Sequence, residues 1–591
     1  MSFLRKLRPG AGTQQVAIEP MVVEDSLEKM ESTSDVEAHN PENVTPDQNA
    51  QRGVQEIEAV TLVWTKTSLA ALLICIWVLF LVNGFRINIL ATLLPYVTSS
   101  FESHSLLTVI TIVASAMTGA VYIPMAKMMD LWGRAEAFLF MVVLSTLGLI
   151  LMAASRNLAM YCAAEVFYSV GFAGLIYSIC VFATDVTNLR NRGLAFAFTS
   201  SPYMITAFAG SKAAEGFLEH VSWRWGFGCF AIIVPVVTAP LYMILKVNLK
   251  KAKRQGLVSD RPDSTPQTLI QKVWWAIKEF DLMGVFLFAA GLVIFLLPFN
   301  LAASAPHGWK SGYIIAMIVV GFVLLVIFAV HQVYLAPVPF LKHSALVNRT
   351  VIGACLIDMT YQISYYCWDS YFTSFLQVVN NVSAANAGYI NSTFQVVSGV
   401  LLFIVGYLIR RTGYFKWTFY WAIPLYTFTL GLMIYFRRPN QSIGYLVMCE
   451  IFISMGGSVF ILNCQLAVLA AVEHQYVAAV LSLLFVSGSI GDSVGSAICG
   501  AIWTNTFESA LIRYLPETAL ADAAEIYASI TVQLSYPVGS PVRLAIQEAY
   551  GYAQTRMLAA GTGIMALCFI WVLFIENLNV SKLTQTRGVV L

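Results

Sequence analysis

Charge is what this chain has least of. Asp, Glu, Lys and Arg make up 12% of its 591 residues, against about a quarter in a soluble domain. So little charge over so long a chain excludes an ordinary water-exposed surface. The formal net charge of +2 gives no electrostatic basis for nucleic-acid binding, and no basic patch is interleaved with base-stacking aromatics. Histidine is scarce as well. The seven histidines form no close pair at metal-ligand spacing, and His307 and His331 read as loop or boundary residues. CxxC pairs are absent. The ten cysteines are scattered mainly through apolar stretches and read as small membrane-embedded hydrophobes, not a disulfide or metal framework. No serine, cysteine or histidine constellation supports a catalytic domain. Neither an enzyme, a cofactor nor a protein-bound metal is expected.

Hydrophobic residues account for 58% of the chain. Between residues 69 and 576, apolar segments of about 20 residues recur about fourteen times, the length a bilayer demands of a helix. The expected fold is an all-α polytopic membrane protein. Lys and Arg gather in every second joint, most densely at Lys250, Lys251, Lys253 and Arg254. The positive-inside rule then puts both termini in the cytosol. The first 68 residues read as a mostly disordered cytosolic tail with no cleavable signal peptide. Residues 69–246 read as a six-helix bundle, 247–281 as a cytosolic linker and 282–335 as two inserted helices. After a second linker at 336–346, a second six-helix bundle covers 347–576, and 577–591 forms a cytosolic tail.

Two short basic joints support the paired bundles. Met125-Ala126-Lys127-Met128-Met129-Asp130-Leu131-Trp132-Gly133-Arg134 follows the second span, and Gly406 to Lys416, with Arg410, Arg411 and Gly413, follows the tenth. Each places a glycine turn and basic groups between helices two and three of its bundle. Gly133 permits the turn, Asp130 can pair with a cation, and Lys127 and Arg134 can make breakable gate contacts. Two related bundles are the architecture of a rocking carrier.

The charges inside the spans are the chemical signal. Arg86 facing lipid would cost roughly 2.5–3.5 kcal/mol, so it should face a cavity, with Asn83 on the same helical face. It can hold an anionic ligand group or pair with an acid. Tyr161, Glu165, Tyr168 and Phe172 share one face of the fourth span, placing a carboxylate among aromatics. Asp358, Gln362, Tyr365 and Asp369 repeat that spacing in the ninth, widened by Trp368. Aromatics can cover a large organic ligand while Gln and Asp orient it. Glu165, Asp358, Asp369 and Glu450 are proton-coupling candidates. Asp492 joins them, as an acid set in the small-residue stretch Ser487–Ser496 of span thirteen. Asn83, Arg86, Tyr161, Tyr168, Gln362, Tyr365 and Trp368 are the expected cavity residues. Asp185 is expected beside Arg190 or Arg192, and Lys212 beside Glu215.

Two features belong to the outer side. Asn381-Val382-Ser383 is a glycosylation sequon. The joint 506–555, with Tyr527, Tyr536, Tyr550 and Tyr552, is too polar to span and predicts short helices capping the outer mouth.

The Asp130–Arg134 joint resembles the gate loop of the major facilitator superfamily, and about fourteen spans match its larger drug-antiporter-like branch. Cys367-Trp368-Asp369-Ser370-Tyr371-Phe372-Thr373-Ser374-Phe375-Leu376-Gln377-Val378-Val379 narrows the resemblance, followed by Ala387-Gly388-Tyr389-Ile390. Ala501-Ile502-Trp503-Thr504-Asn505 and the Tyr-rich stretch 527–552 add to it. Together they are similar to the fungal siderophore–iron transporters over roughly residues 60–580. That resemblance implies proton-coupled import of ferric siderophores at the plasma membrane, with an endosomal or vacuolar pool also compatible. It implies a monomeric unit in the lipid bilayer, with iron kept inside its organic ligand. Two rival readings use the same residues: a proton-driven exporter of drugs or glutathione-like anions, and a non-transporting siderophore receptor.

Overall fold

A backbone that must bond to itself wherever water is absent becomes helix, and helices carry nearly all of this protein. The computed structural model describes residues 51–101, 107–257, 269–336, 348–472 and 476–582. Among the described residues there is no strand beyond one isolated bridge, Tyr414 with Asn579.

The first half contains α1 (Arg52–Val63), α2 (Lys66–Ser100), α3 (Leu107–Leu131), α4 (Arg134–Ala153) and α5 (Leu158–Asp185). It continues with α6 (Leu189–Ser200), α7 (Pro202–His220) and α8 (Trp223–Arg254). An inserted pair follows, α9 (Leu282–Leu296) and α10 (Gly312–Val330). The second half begins with α11 (Arg349–Asp369), α12 (Phe372–Val379), α13 (Ala384–Asn391) and α14 (Thr393–Thr412). It ends with α15 (Lys416–Phe436), α16 (Ile443–Ala470), α17 (Val477–Tyr514) and α18 (Pro541–Met565).

Twelve of the described helices are long and apolar enough to cross a membrane, against about fourteen expected. The other two expected spans are helical but fall short of that apolarity. The fifth is broken between α6 and α7 at Ser201-Pro202, where proline withholds a backbone donor, and α7 carries Lys212 and Glu215. The ninth, α11, is diluted by Arg349, Asp358, Gln362 and Asp369. The two helices that look least like membrane spans thus include the one with the richest polar stripe.

Packing separates the halves and then joins them. In the first, α4 lies along α5 and α8, and α2 along α7 and α8; in the second, α17 lies along α11 and α18, and α16 along α14 and α15. The halves meet where α3 runs beside α17 and where α14 crosses α6 and α7. A Cβ on Gly406 would come within 3.0 Å of the Gly193 carbonyl carbon, so the second crossing is backbone against backbone. The inserted pair packs on α3 through α9. α10 buries only Ile314 and Gly321 and presents the rest of its apolar surface outward, as a lipid-facing helix does. Asp281 ties the pair together, accepting from the Gly284 amide (3.1 Å) and Gln332 Nε2 (2.5 Å) and meeting His331 Nε2 (2.8 Å).

Within the tail expected over 1–68, α1 and the start of α2 are helical. Val54, Ile57 and Val60 form one buried face of α1, and Glu56 reaches Arg52 (3.3 Å) and Lys253 (3.9 Å). A periodic face in a short, charged stretch is easily read as polar tail. Residues 1–50, and with them most of that expectation, lie outside the described residues. So does most of the linker 336–346. The cap is shorter than the joint 506–555, because α17 runs on to Tyr514 and α18 starts at Pro541, capped by Ser540 (3.2 Å to the Arg543 amide). Between them lie the short helices Ala523–Ala528 and Ile530–Ser535, as the sequence predicts. Tyr550 and Tyr552 belong to α18, not to the cap.

Candidate functional site

A cavity of about 520 Å³ opens between the halves, within the range of small-molecule sites. Its walls come mainly from α2, α3 and α5, with Tyr203 from α7, Tyr366 from α11 and Ser489 and Asp492 from α17. Asn83, Arg86, Tyr161, Glu165 and Tyr168 all line it, so the α2 and α5 stripes do converge.

Arg86 is buried and organised. Asn83 Oδ1 accepts from its Nε (3.1 Å) and Nη2 (2.7 Å), and Asn83 Nδ2 donates to Tyr203 Oη (2.7 Å). The guanidinium lies 3.8 Å from the Phe172 ring centre and 4.9 Å from that of Tyr168. Aromatic faces stabilise a desolvated cation without neutralising it. Glu165 feels the charge of Arg86, but its Oε1 accepts from Ser169 Oγ (2.8 Å). A fixed cation beside a separately held acid can orient an oxygen-rich ligand, and it can answer a change in that acid's proton occupancy.

The ninth-span stripe is placed differently from the expected cavity wall. Asp358, Gln362, Tyr365, Trp368 and Asp369 are not among the residues lining this cavity; Tyr366 is. Asp358 and Gln362 face the glycine seam of α17. A Cβ on Gly488 would lie 2.7 Å from Asp358 Oδ2, and one on Gly491 would lie 2.4 Å from the Met359 carbonyl oxygen. Trp368 is fully buried, donates to Tyr426 Oη (3.2 Å) and meets Tyr365 at 5.2 Å between rings. Helical spacing groups these residues correctly on one face, but it does not say which neighbour the face meets. Asp492 is the acid that the second half brings to the cavity, and it feels the charge of Asp358.

At one end of the first half the residues expected at the gate form an ion-pair cluster. Arg134 Nη1 donates to Asp130 Oδ1 (2.5 Å), and its Nε lies 3.5 Å from Asp185 Oδ2. Asp185 therefore meets Arg134, a partner the sequence did not suggest, while its charge also reaches Arg192, as expected. Arg192 donates to the carbonyls of Thr184 and Thr187. Gly133 turns the chain at φ 112°. Lys127 reaches the Glu279 carbonyl (3.1 Å) at the foot of the inserted pair. The Arg410 carbonyl accepts from Arg190 (3.3 Å), while the side chains of Arg410 and Arg411 are exposed. Lys212 and Glu215 do pair.

The other end is closed by the cap. Tyr96 Oη donates to Gln377 Oε1 (2.5 Å), and the Ile530 amide to Ser99 Oγ (3.1 Å). Arg543 is the hub that sequence patterning missed. It donates to the Gln533 carbonyl, the Gln377 carbonyl (3.3 Å) and Asn381 Oδ1 (3.2 Å). Asn381, the sequon residue, stands at φ 56° with its side-chain oxygen in use. Tyr371, Trp503 and Phe507 stack at 4.2 Å intervals beneath the cap. Tyr550 packs on Trp503 at 5.0 Å and donates to Gln533 (2.8 Å). Tyr527 lies 6.2 Å from Phe507, and Tyr536 bonds Asp522 (3.3 Å). Tyr552 stacks under Arg556 instead. Arg437 is completely buried; lying one position past an apolar run, it left no signal in the periodicity.

The family model of the Major Facilitator Superfamily matches residues 76–347. The siderophore iron transporter mirB of Emericella nidulans is 64% identical over 93% of this chain and 91% of its own length. The MFS siderochrome iron transporter 1 of Gibberella zeae is 58% identical over the full length of both. The chain belongs to the siderophore iron transporter family of the major facilitator superfamily. The MFS siderochrome iron transporter B of Aspergillus fumigatus is a further member, 59% identical over 95% of this chain and 91% of its own length. Among solved structures, the human organic anion transporter MFSD10 (TETRAN) superposes with a TM-score of 0.52. It covers 85% of this chain and 99% of that one at 12% identity, a likeness of fold alone. Family membership makes this a multi-pass membrane carrier and not an enzyme.

Proposed function

We propose that this protein imports ferric siderophores by proton symport across the plasma membrane. Near-full-length identity to transporters named for siderophore iron carries the reading. Both termini and the Asp130–Arg134 gate face the cytosol, and the cap faces outside, following the alternation of basic joints. A monomer in the lipid bilayer is the transport unit. The chelate enters beneath the cap and binds in the cavity between Arg86 and the aromatic faces of α5. Iron stays within its ligand as cargo, so its coordination asks nothing of protein side chains.

Glu165 and Asp492 are the acids best placed to exchange protons with the cavity, and Asp358 acts through Asp492. Proton loss beside Arg86 strengthens its hold on the protein and weakens its hold on an anionic ligand group. The same event therefore serves both substrate release and coupling. Uptake of labelled hydroxamate and catecholate ferric siderophores into iron-starved cells lacking endogenous carriers tests the reading. Accumulation that rises as external pH falls supports it. Correctly localised protein that moves no chelate but exports a drug or glutathione overturns it. Glu165→Gln should retain substrate counterflow and lose pH-driven accumulation.

A further inference from the structure

Three charge-bearing side chains converge at the cap end of the second half without binding one another. Arg437 follows α15, Glu450 lies two turns into α16, and Asp369 ends α11. Arg437 and Glu450 are fully buried. Arg437 Nη1 donates to the Trp368 carbonyl, and its guanidinium lies 4.2 Å from the Phe372 ring centre and 5.5 Å from that of Phe375. Its Nε and Nη2 have no hydrogen-bond partner. Neither do both oxygens of Glu450 and Oδ1 of Asp369. Yet both acids feel the charge of Arg437, and Glu450 also feels that of Asp369. Asn391 from α13 is within hydrogen-bonding reach of Asp369. The other titratable groups around the cluster are Cys449 on α16, Cys499 on α17, Tyr361, Tyr365 and Tyr366 on α11 and Tyr426 on α15. Idle donors and idle acceptors sealed into one region are costly where they stand, and that cost falls if they meet in another state.

We propose that Arg437 is the moving counter-ion of a charge switch at the cap end. With Glu450 and Asp369 protonated, it rests on the Trp368 carbonyl and the Phe372 face, as here. When either acid returns its proton to water, the guanidinium leaves that carbonyl for the new carboxylate. Trp368 and Phe372 lead directly into α12, whose Gln377 holds Tyr96 of the first half and Arg543 beneath the cap. Moving Arg437 therefore loosens the contact that closes the outer mouth. Arg437 is a positioning residue here, since it acts on the acids and on the chain leading into α12 and not on the chelate.

The inference rests on the proton-coupled reading, and its first test uses no substrate. Hydrogen exchange of the purified protein, corrected for the chemical rate, is followed over Phe372–Val379 as pH is varied. Protection that changes with pH in the wild type, and flattens in Arg437→Gln and Glu450→Gln, is expected. Flat protection in the wild type overturns the switch. In cells, Arg437→Gln should lower siderophore accumulation about tenfold or more while counterflow persists, and adding Glu450→Gln should restore part of it. Equal loss of counterflow and accumulation, or additive effects of the two changes, marks a merely structural pair and overturns the proposal. Should Arg437→Gln fail to reach the membrane, Arg437→Lys and Glu450→Gln carry both readouts. Wild-type uptake that ignores pH, together with pH-dependent exchange, sinks symport and leaves the switch standing.

Discussion

The two ends of this carrier use buried arginine in opposite ways. At the gate, Arg134 sits between Asp130 and Asp185, a cation with its counter-ions in place. At the cap, Arg437 and Arg543 hold backbone carbonyls, and the acids beside Arg437 are left unmated. A paired charge makes a latch, which stabilises one arrangement and must be broken to leave it. A charge held by carbonyls and ring faces keeps its full field and can be recruited elsewhere. The gate is therefore the end with more to lose from a single substitution.

The largest effect is expected from Arg134→Ala. It strands two buried carboxylates, at a cost of about 3–5 kcal/mol, and should lower the Tm of the purified protein and abolish uptake. An unchanged Tm would erase the contrast between the ends. Arg543→Ala comes next. Losing its charge-assisted bonds should cost about 1.5–3 kcal/mol, confined to the cap. Hydrogen exchange should then rise in Ile530–Ser535 and Phe372–Val379, with apparent substrate affinity weakened and global Tm little altered. A global loss of stability would show that the cap is part of the core. Gly491→Ala forces a methyl to 2.4 Å from the Met359 carbonyl oxygen, and overpacking of this kind costs about 1–3 kcal/mol. It should lower Tm and shift α11, read as altered exchange over Arg349–Asp369. The smallest effect belongs to Glu576→Gln. The pair it breaks with Arg349 is substantially exposed on both sides, so the change should stay under about 1 kcal/mol. A larger loss would mean that exposed pairs share the work of the gate.

Sequence patterning was most reliable where a residue broke a long periodic run. Arg86 and Glu165 interrupt apolar helices, so each had to face the interior, and both line the cavity. The helical character, the glycine turn at Gly133 and the short helices of the cap were legible for the same local reasons. Partner choice was only partly so. Asp185 reaches Arg192, close to it in sequence, but it also meets Arg134, because the joint between α3 and α4 folds back beside α5. The α11 stripe was assigned to the cavity as one face, yet Asp358 and Gln362 meet α17 while Trp368 meets Tyr426 of α15. Arg437 and Arg543 escaped notice because both lie in joints, where a basic residue normally needs no partner. α1 escaped because its apolar face is only three residues deep in a charged stretch.

The glycines of α17 bear on how such a carrier can change over time. Gly488, Gly491 and Gly495 set the distance at which α11 lies, each by the side chain it does not have; a Cβ on Gly495 would stand 2.8 Å from the Ile363 carbonyl oxygen. The address of Asp358 is thus written on the opposite helix, in three blank positions. A lineage that replaced them would move its acid without touching it.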